Sequence, residues 1–298
     1  MQIGDWKSAA ELTRIYRRAR DLGLETNLAE LEAFGFTIVE PEKAAPPGFA
    51  QRMLDALLAI AGHEDANAVD LSTRAQKDRP VYGRNLFHLL AKDRVFAEAV
   101  MMPAALTLGQ YLMGESCRLY SNVAFLKQGE AGCTKIHSDS VGMPPPLPQY
   151  GHVCNISWIL TEYTQARGTF FIVPGSHRLC RHPTLMDHPK LMGGPNDDEI
   201  GIPILAKPGS LFVFHGNTWH GTYPKTDPDV RAHVVTALCR NYVNPAENFD
   251  DVPEETVRAM GPEFARLLGR SAWQGYRSEG PLYDRMLAVT RAAQSAAA

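Results

Sequence analysis

Five short segments between residues 117 and 242 constrain the fold of this chain more than any other feature. Each is apolar or alternates apolar with polar residues, and Gly or Pro residues separate it from the next. The segments are CRLYSNVAFLK, HVCNISWILTE, GTFFIVPG, GSLFVFHG and RAHVVTALCRNYV. Repeated short strands with turn residues between them are typical of all-β barrels and jelly rolls. We therefore expect a β core over about residues 117–242.

Helical patterns flank this core on both sides. On the N-terminal side, DWKSAAELTRIYRRARDLG stops at Gly23, and LAELEAFG predicts a short helix that runs into a strand, FTIVE. On the C-terminal side, PEETVRAMGPEFARLLG and PLYDRMLAVTRAAQSAAA have helical spacing. We expect one domain over residues 1–298, with a helical part to about residue 116 and a helical tail from about residue 243.

Two long loops interrupt the β region, SVGMPPPLPQYGH and RLCRHPTLMDHPKLMGGPNDDEIGIP. Loops of this length in a compact domain usually cover a site or are disordered, and we expect both to act as lids. The second loop carries His182 and His188, which have no tight spacing and no acidic neighbour beyond Asp187. We interpret these histidines as solvated loop residues and not as a second metal site.

Composition excludes several classes of protein. Lys and Arg number 30 against 33 acidic residues, and the net charge of −3 gives no reason to expect nucleic acid or an anionic membrane as partner. The five cysteines are odd in number and contain no C-x-x-C pair, which argues against a disulfide framework. Pro103 and Gly109 interrupt the most apolar segment, AEAVMMPAALTLGQYLMG. We expect a cytoplasmic protein that acts on a small molecule, as a monomer or a homodimer.

The segment HSD places a histidine and an aspartate two positions apart. In an extended strand such residues point to the same face, so His137 and Asp139 project together while Ser138 points away. One imidazole and one carboxylate are two thirds of the facial triad that binds non-haem Fe(II). The triad leaves three coordination positions open, enough for a bidentate keto acid and dioxygen. His215 and His220 are both candidates for the third ligand.

The residues after His220 favour it over His215. Arg231 lies eleven positions later, at the start of the strand pattern RAHVVTAL, where it can pair with the far carboxylate of a dicarboxylic co-substrate. Thr222, two residues beyond His220, can add a hydroxyl to the same carboxylate. His233 shares strand parity with Arg231, so the two side chains are expected to face the same way.

Four pieces of sequence together resemble the phytanoyl-CoA dioxygenase family of Fe(II)/2-oxoglutarate oxygenases, which includes the ectoine hydroxylases. They are HSD, ARGTFFIVPGSHR for the family's N-G-x-L-x-x-x-P-G-S-H-[KR], KPGSLFVFHGNTWHGT for its G-D-x-x-x-F-x…H-G-S, and Arg231 at the family's offset from the distal histidine. The resemblance covers roughly residues 28–242. The chain departs from the pattern at three positions, Arg167, Ser210 and Thr222, none of them a metal ligand in the family.

The resemblance implies a mainly β fold with flanking helices, a double-stranded β-helix or cupin-like jelly roll. It implies Fe(II) held by His137, Asp139 and His220, with 2-oxoglutarate and O2 as co-substrates. Arg231 and Thr222 would bind the distal carboxylate of 2-oxoglutarate, and Ser121, Asn122 or His233 would contact the co-substrate or substrate. The implied reaction is hydroxylation of an unactivated C–H bond of a small organic metabolite, with release of succinate and CO2.

Three other interpretations remain open on sequence alone. The same fold serves cupin-like metalloenzymes that need no keto acid, such as isomerases or hydrolases, and these would have no use for Arg231. A desaturase or cyclase of the same family, acting on a secondary metabolite or an acyl-CoA, would use the same residues. A non-catalytic binding or sensor protein would keep the β core, yet all three ligand types are intact.

Overall fold

The computed structural model describes residues 9–64, 84–129, 131–140, 142–184 and 201–270, and a short hairpin at 276–277 and 280–281. The helices in these ranges are α1 (Ala9–Asp21), α2 (Glu25–Phe34), α3 (Pro41–Ala44), α4 (Phe49–Glu64), α5 (Leu89–Lys92), α6 (Arg94–Val100), α7 (Pro103–Met113), α8 (Glu254–Met260) and α9 (Pro262–Leu267). The strands are β1 (Phe36–Val39), β2 (Arg84–Leu86), β3 (Arg118–Lys127), β4 (Val153–Ile159), β5 (Phe170–Ile172), β6 (Ile202–Pro203), β7 (Leu211–His215), β8 (His220–Thr222), β9 (Arg231–Cys239), β10 (Tyr276–Arg277) and β11 (Gly280–Pro281).

Two antiparallel sheets form the β core. The larger has six strands in the order β1-β7-β4-β9-β3-β2, and the smaller has three in the order β6-β5-β8. Strands β3 and β9 form the longest ladder, and β4 pairs with the other edge of β9, so these three strands lie in the interior of the sheet. This arrangement of short antiparallel strands in two facing sheets is the predicted jelly roll, and the fold prediction is confirmed.

The two faces of the large sheet carry different side chains. On β4, Cys154, Ile156 and Trp158 belong to the main hydrophobic core, which also contains the buried residues of α4, α6 and α7. The alternate residue Ile159 belongs to a second, smaller cluster with Phe212 of β7. Because side chains alternate along a strand, one face packs against the helices and the other faces the small sheet. The second face is called the inner face below.

Glycines and a capping aspartate mark the ends of several helices. Gly23 and Gly35 follow α1 and α2 with φ angles of +65° and +82°, a left-handed conformation that favours glycine. Asp93 caps α6, because its carboxylate accepts a hydrogen bond from the Val95 amide at 2.8 Å. Across the described ranges, no single helix has the length and apolarity to cross a membrane; α6 and α7 qualify only as a pair bent by 54°.

Most predicted elements lie where the sequence indicated, with two differences in the N-terminal part. The helical pattern from Asn85 to Gly114 begins as strand β2 and is divided into three helices at Asp93 and Pro103. Strands β1 and β2 also join the large sheet, so its two edge strands come from outside the predicted core. The last predicted helix, beyond Pro281, lies outside the described residues. The division into a single domain with the stated boundaries stays a prediction.

Candidate active site

His137, Asp139 and His220 lie together at one end of the inner face. The backbones of His137 and His220 pair as an isolated antiparallel bridge, with both N–H···O=C distances at 2.9 Å. Their ring centroids are 4.3 Å apart. Asp139 lies between them, with Oδ1 at 3.5 Å from His137 Nε2 and Oδ2 at 3.6 Å from His220 Nε2. One ligand atom from each residue lies within 4.8 Å of the others, so the three can hold one metal ion.

Backbone carbonyls fix both imidazoles of this cluster. His137 Nδ1 lies 2.7 Å from Lys135 O, and His220 Nδ1 lies 2.9 Å from Thr218 O. A carbonyl oxygen only accepts, so each ring carries its proton on Nδ1 and presents the Nε2 lone pair to Asp139. This second hydrogen bond is the usual support of a metal-ligating histidine. The Asp139 amide donates to Gly216 O at 2.8 Å, which anchors the carboxylate next to the turn before β8.

Burial and mutual proximity set the charges of the cluster. Burial lowers the pKa of His220, against the opposing effect of the Asp139 carboxylate. Burial alone would raise the pKa of Asp139, but His220, His137 and the Asn155 amide outweigh it and lower the pKa of that carboxyl. Burial also disfavours charge on His137, and the hydrogen bond to Asp139 more than offsets this and raises its pKa. An ionised carboxylate beside a buried neutral imidazole suits a divalent cation.

His215, the other histidine candidate, lies on the opposite face of the large sheet. It pairs with Cys154, a residue of the helix-facing core. Its Nδ1 accepts a hydrogen bond from the Asn217 amide at 3.0 Å, and its ring is 5.4 Å from the ring of His177. The alternative left open by spacing is therefore decided by geometry in favour of His220.

Arg231 is buried on the inner face, as strand parity predicted. Its guanidinium lies over the rings of Tyr163 and Phe170, at 5.6 and 5.7 Å from their centroids, and Nη1 donates to Gly168 O. Within the part of the chain that the structure describes, no carboxylate forms an ion pair with Arg231, and its Nε has no hydrogen-bond partner. Phe170 also contacts the His220 ring at 6.2 Å, so one aromatic side chain joins the arginine to the triad.

The sequence model of the phytanoyl-CoA dioxygenase (PhyH) family matches residues 7–232. The chain belongs to this family. Among its relatives, dioxygenase af480 of Aspergillus fumigatus is 26% identical over 200 residues, which cover 66% of this chain and 62% of that protein. The chain thus spans less than two thirds of that relative's length. The ectoine dioxygenase of Sphingopyxis alaskensis is 25% identical over 228 residues, 69% of this chain and 72% of that enzyme.

Solved structures with the same fold include the following three proteins. The 2-oxoglutarate-dependent epimerase SnoN, from nogalamycin biosynthesis, has a TM-score of 0.57 at 18% identity, with 74% of this chain and 84% of that chain covered. HygX from Streptomyces hygroscopicus, with nickel and 2-oxoglutarate bound, has a TM-score of 0.58 at 14% identity over 76% and 93%. EctD from S. alaskensis, with 2-oxoglutarate and 5-hydroxyectoine, has 0.56 at 20% identity over 72% and 76%.

Thr222 and His233 of this PhyH-family chain both adjoin Phe170, over whose ring the Arg231 guanidinium lies. Thr222 pairs with Phe170, and its hydroxyl oxygen accepts a hydrogen bond from the Thr134 amide at 2.8 Å. The His233 ring stacks on Phe125 at 5.0 Å and makes edge contacts with Tyr163 and Phe170, so it shares the face of Arg231 as expected. Burial, reinforced by Arg231 and Lys127, lowers the pKa of His233 well below its ordinary value. The roles of both residues stay predictions.

Ser121 and Asn122 face opposite sides of the large sheet, and only Ser121 has the parity of the inner face. The pairing of β3 with β9 shifts between Leu119 and Ser121, and Asn122 then lies opposite Thr236. Its amide donates to Thr236 Oγ1 at 2.9 Å, on the face that packs against the helices. Asn122 is therefore separated from the triad by the sheet, and of these two candidates only Ser121 has the parity to reach the co-substrate, which stays a prediction.

Two loops near the triad are held by hydrogen bonds. In the turn after β5, the Gly175 amide donates to Phe34 O at 2.8 Å and Arg178 donates to Glu32 O, which connects this turn to the end of α2. In the second loop, His182 is not the solvated residue that the sequence predicted. Its Nδ1 lies 2.8 Å from Ser138 Oγ and its Nε2 lies 2.9 Å from Met143 O. His188 and Asp187 lie outside the described residues.

The local structure around the metal pair also differs from the prediction. No strand forms around His137 in the described segment 131–140; its regular features are two isolated bridges, from Ala131 to Lys225 and from His137 to His220. His137 and Asp139 still converge, because the bridge fixes the first and the bond to Gly216 fixes the second. Ser138 points away from both, as expected, and is held by His182.

The sequence interpretation missed several polar residues of the inner face. Asn155 donates from Nδ2 to Asp139 Oδ2 at 2.5 Å. Lys127 pairs with Arg231 across β3 and β9, and it is buried with Gly132 O as its hydrogen-bond acceptor at 3.2 Å. Burial and the nearby Arg231 lower the pKa of Lys127 to about 7. The sequence did contain a signal for Asn155. Two polar residues, Asn155 and Ser157, occupy alternate positions of strand β4, which is otherwise mainly apolar.

Proposed function

We propose that this chain is an Fe(II)- and 2-oxoglutarate-dependent dioxygenase that hydroxylates an unactivated C–H bond of a small organic metabolite. The observation that carries the proposal is that a His-Asp-His cluster and a buried arginine, which has no acidic partner among the described residues, lie on the same inner face. The two are joined by Phe170, which contacts His220 and Arg231. Membership of the PhyH family and the relatives named above support the same activity.

The residues present fit an iron ion. His137, Asp139 and His220 would hold it through two Nε2 atoms and one carboxylate oxygen, the donor set that non-haem Fe(II) prefers. Both imidazoles already have Nδ1 engaged with backbone carbonyls, so their ligating atoms need no rearrangement of tautomer. The partly exposed His137 side chain, at 35% against 4% for His220, leaves the cluster open on one side.

The residues present also fit a dicarboxylate co-substrate. Four buried polar atoms on or beside the inner face have no hydrogen-bond partner among the described residues: Ser157 Oγ, Tyr163 Oη, Arg231 Nε and His233 Nδ1. Buried polar groups are nearly always paired, so such a group of unpaired atoms is what a missing ligand leaves behind. A carboxylate beside Arg231 would pair with the guanidinium and offset the cost of burying it.

Lys127 and Thr222 would assist Arg231 in binding that carboxylate. Lys127 is the cross-strand partner of Arg231 and adds a second cation next to it. The hydroxyl oxygen of Thr222 accepts from Thr134, which leaves its proton free to be donated to an anion. Two cations and one donor around a single buried site strongly favour a ligand with negative charge.

Bound iron and 2-oxoglutarate would supply the oxidation: O2 is consumed, 2-oxoglutarate becomes succinate and CO2, and one oxygen atom enters the substrate C–H bond. The chain holds the reacting groups in place and keeps water out. Phe170, Phe212 and Phe214 form an aromatic wall next to His220, with centroid distances of 4.8–6.3 Å among them. A dry wall of this kind strengthens the electrostatic contacts inside the site and suppresses reactions with water.

Anaerobic reconstitution tests the proposal. The protein with Fe(II) and 2-oxoglutarate should give the weak visible charge-transfer band of such a chelate, and air should then yield succinate in slow, substrate-independent turnover. His137→Ala should lose both. Metal binding without any 2-oxoglutarate binding would instead favour a cupin-like isomerase or hydrolase. The cytoplasmic location stays a prediction, and light scattering after size-exclusion chromatography would decide between monomer and homodimer.

A further inference from the structure

A cavity of about 270 Å³ opens beside the triad, on the exposed side of His137. Its described lining consists of Ile136, His137, Ser138, Gly142, His182 and Pro183. His220, by contrast, is buried against Phe214 at a ring distance of 4.6 Å. The cavity therefore gives access to the triad from the side of His137. The volume lies at the lower end of the range for small-molecule pockets, which suits a compact molecule.

Two of the three polar side chains in this lining, Ser138 and His182, already use their protons in hydrogen bonds. His182 Nε2 lies 2.9 Å from Met143 O, and because a carbonyl oxygen only accepts, Nε2 must donate. In a neutral imidazole the other nitrogen is then an acceptor. The partner of Nδ1 at 2.8 Å is Ser138 Oγ, so the serine hydroxyl donates to the ring.

After these bonds are formed, the described side chains of the cavity have no donor left for a ligand. His137 Nδ1 donates to Lys135 O, and its Nε2 faces Asp139. Ile136, Gly142 and Pro183 have no polar side-chain atoms. What remains is one acceptor lone pair on Ser138 Oγ. The surroundings of Arg231 differ from this lining, because they contain two cations, Arg231 and Lys127, and several unpaired donors.

We propose that this cavity is the substrate site and that it takes an uncharged, compact, mainly hydrocarbon molecule. The inference rests on the proposed function and specifies its substrate class. A carboxylate or phosphate at the reacting end of the substrate would find no donor and no cation in the described lining, and transfer of an unpaired anion into such a site is strongly unfavourable. The negative charge of the co-substrate is received at Arg231, and the substrate supplies none.

Matched pairs of compounds with one skeleton test the charge preference. The probes are cyclohexylmethanol with cyclohexanecarboxylate, and the corresponding decalin alcohol and acid. Saturation-transfer NMR measures their binding to full-length protein loaded anaerobically with Zn(II) and 2-oxoglutarate, which allows no turnover. We expect each alcohol to bind at least about tenfold more tightly than its acid. Equal or tighter binding of the acids, or no binding of any alcohol, overturns the inference.

A substitution in the lining gives an independent readout. His182→Arg puts a cation in the cavity and should strengthen binding of the acids by roughly tenfold or more, while the alcohols gain much less. Circular dichroism verifies that the variant folds, and the matched pairs on the unsubstituted protein decide the question if it does not. Unchanged binding of the acids to folded His182→Arg protein contradicts the assignment of this cavity as the substrate site.

The same protein separates this inference from the proposed function. Binding of 2-oxoglutarate and slow uncoupled succinate release depend on the triad and Arg231 and not on the charge preference of the cavity or on His182. If 2-oxoglutarate binding and succinate release are observed but the protein prefers acids over alcohols, only the proposed substrate class is overturned. If neither is observed, the proposed dioxygenase activity is overturned, whatever the cavity binds.

Discussion

Asn155 Nδ2 lies 2.5 Å from Asp139 Oδ2, so an amide on β4 holds the carboxylate that stands between the two imidazoles. Asp139 has no strand around it, and its other described anchor is the backbone bond to Gly216. The amide therefore fixes the rotation of the carboxylate and leaves Oδ1 turned towards His137. Outer hydrogen bonds of this kind orient metal ligands and raise metal affinity.

Asn155→Ala should weaken metal binding by roughly 10–100-fold, the usual cost of losing an outer hydrogen bond to a ligand. Anaerobic calorimetry with Mn(II) or Fe(II) measures the dissociation constant. Asn241→Ala is the matched control, because that amide donates to Ser116 Oγ at 3.1 Å, away from the triad. An unchanged metal affinity in Asn155→Ala would mean that the backbone alone orients Asp139.

His220→Ala and His215→Ala should differ sharply although both residues are buried and only five positions apart. His220 contributes Nε2 to the triad, whereas His215 faces the helix layer. We expect His220→Ala to abolish Fe(II) binding in the same calorimetric experiment. His215→Ala should lower the melting temperature but retain the metal. Loss of metal in folded His215→Ala protein would argue against the assignment.

The parts of the site that follow from local spacing could be predicted from the sequence. His137 and Asp139 come from one motif, and the parity of Arg231 and His233 follows from their strand. Residues whose position depends on how strands pair could not be predicted. Asn122 falls on the wrong face, because the irregularity between Leu119 and Ser121 sets the parity of β3 relative to β9.

Lys127 illustrates the same limit. A lysine at the end of an alternating strand normally indicates a solvated terminus. Only the register of β3 against β9 buries it beside Arg231, and register is a property of the assembled sheet. Asn155 is an intermediate case, since its alternate polar position on β4 marked the inner face without indicating that Asp139 would be its partner.

Arg231→Gln should weaken 2-oxoglutarate binding by roughly 30-fold or more, because a buried carboxylate would lose its charged partner. The apo protein should not lose stability, since no described acid pairs with Arg231 and the substitution removes a buried charge. Calorimetry of 2-oxoglutarate binding and urea denaturation measure the two effects. Arg14→Gln, at an exposed ion pair with Glu115, is the control. A large stability loss in Arg231→Gln would indicate a structural arginine instead.

Binding of 2-oxoglutarate should weaken as the pH rises above about 7. Burial and Arg231 lower the pKa of Lys127 to about 7, so the free protein loses this cation above that pH. A bound carboxylate favours the charged form and raises the pKa again. Affinity should therefore be highest below pH 7 and fall by up to about tenfold per pH unit above it, until the raised pKa is passed. Lys127→Met should flatten this profile, and the exposed Lys207→Met should not.

Gly35→Ala and Gly48→Ala should separate backbone strain from a steric clash near the site. Both glycines have φ of +82°, so alanine at either position costs about 1–2 kcal/mol. At Gly48 an added Cβ meets nothing within 4 Å, whereas at Gly35 it would lie 2.5 Å from His177 Nδ1 and from Thr218 Oγ1. Urea denaturation should therefore show a loss for Gly35→Ala that exceeds the loss for Gly48→Ala by about 1–3 kcal/mol.

Gly35 is also connected to the triad, which adds a functional readout to this pair. Its carbonyl accepts from the His215 amide at 2.9 Å and from Thr218 Oγ1 at 3.0 Å, and Thr218 O in turn holds His220 Nδ1. The clash in Gly35→Ala should displace the turn that holds His220. Metal binding should therefore weaken, and the stability should fall. Gly48→Ala should lose stability only. Equal metal affinity in the two variants would mean that the turn before β8 absorbs the clash without moving His220.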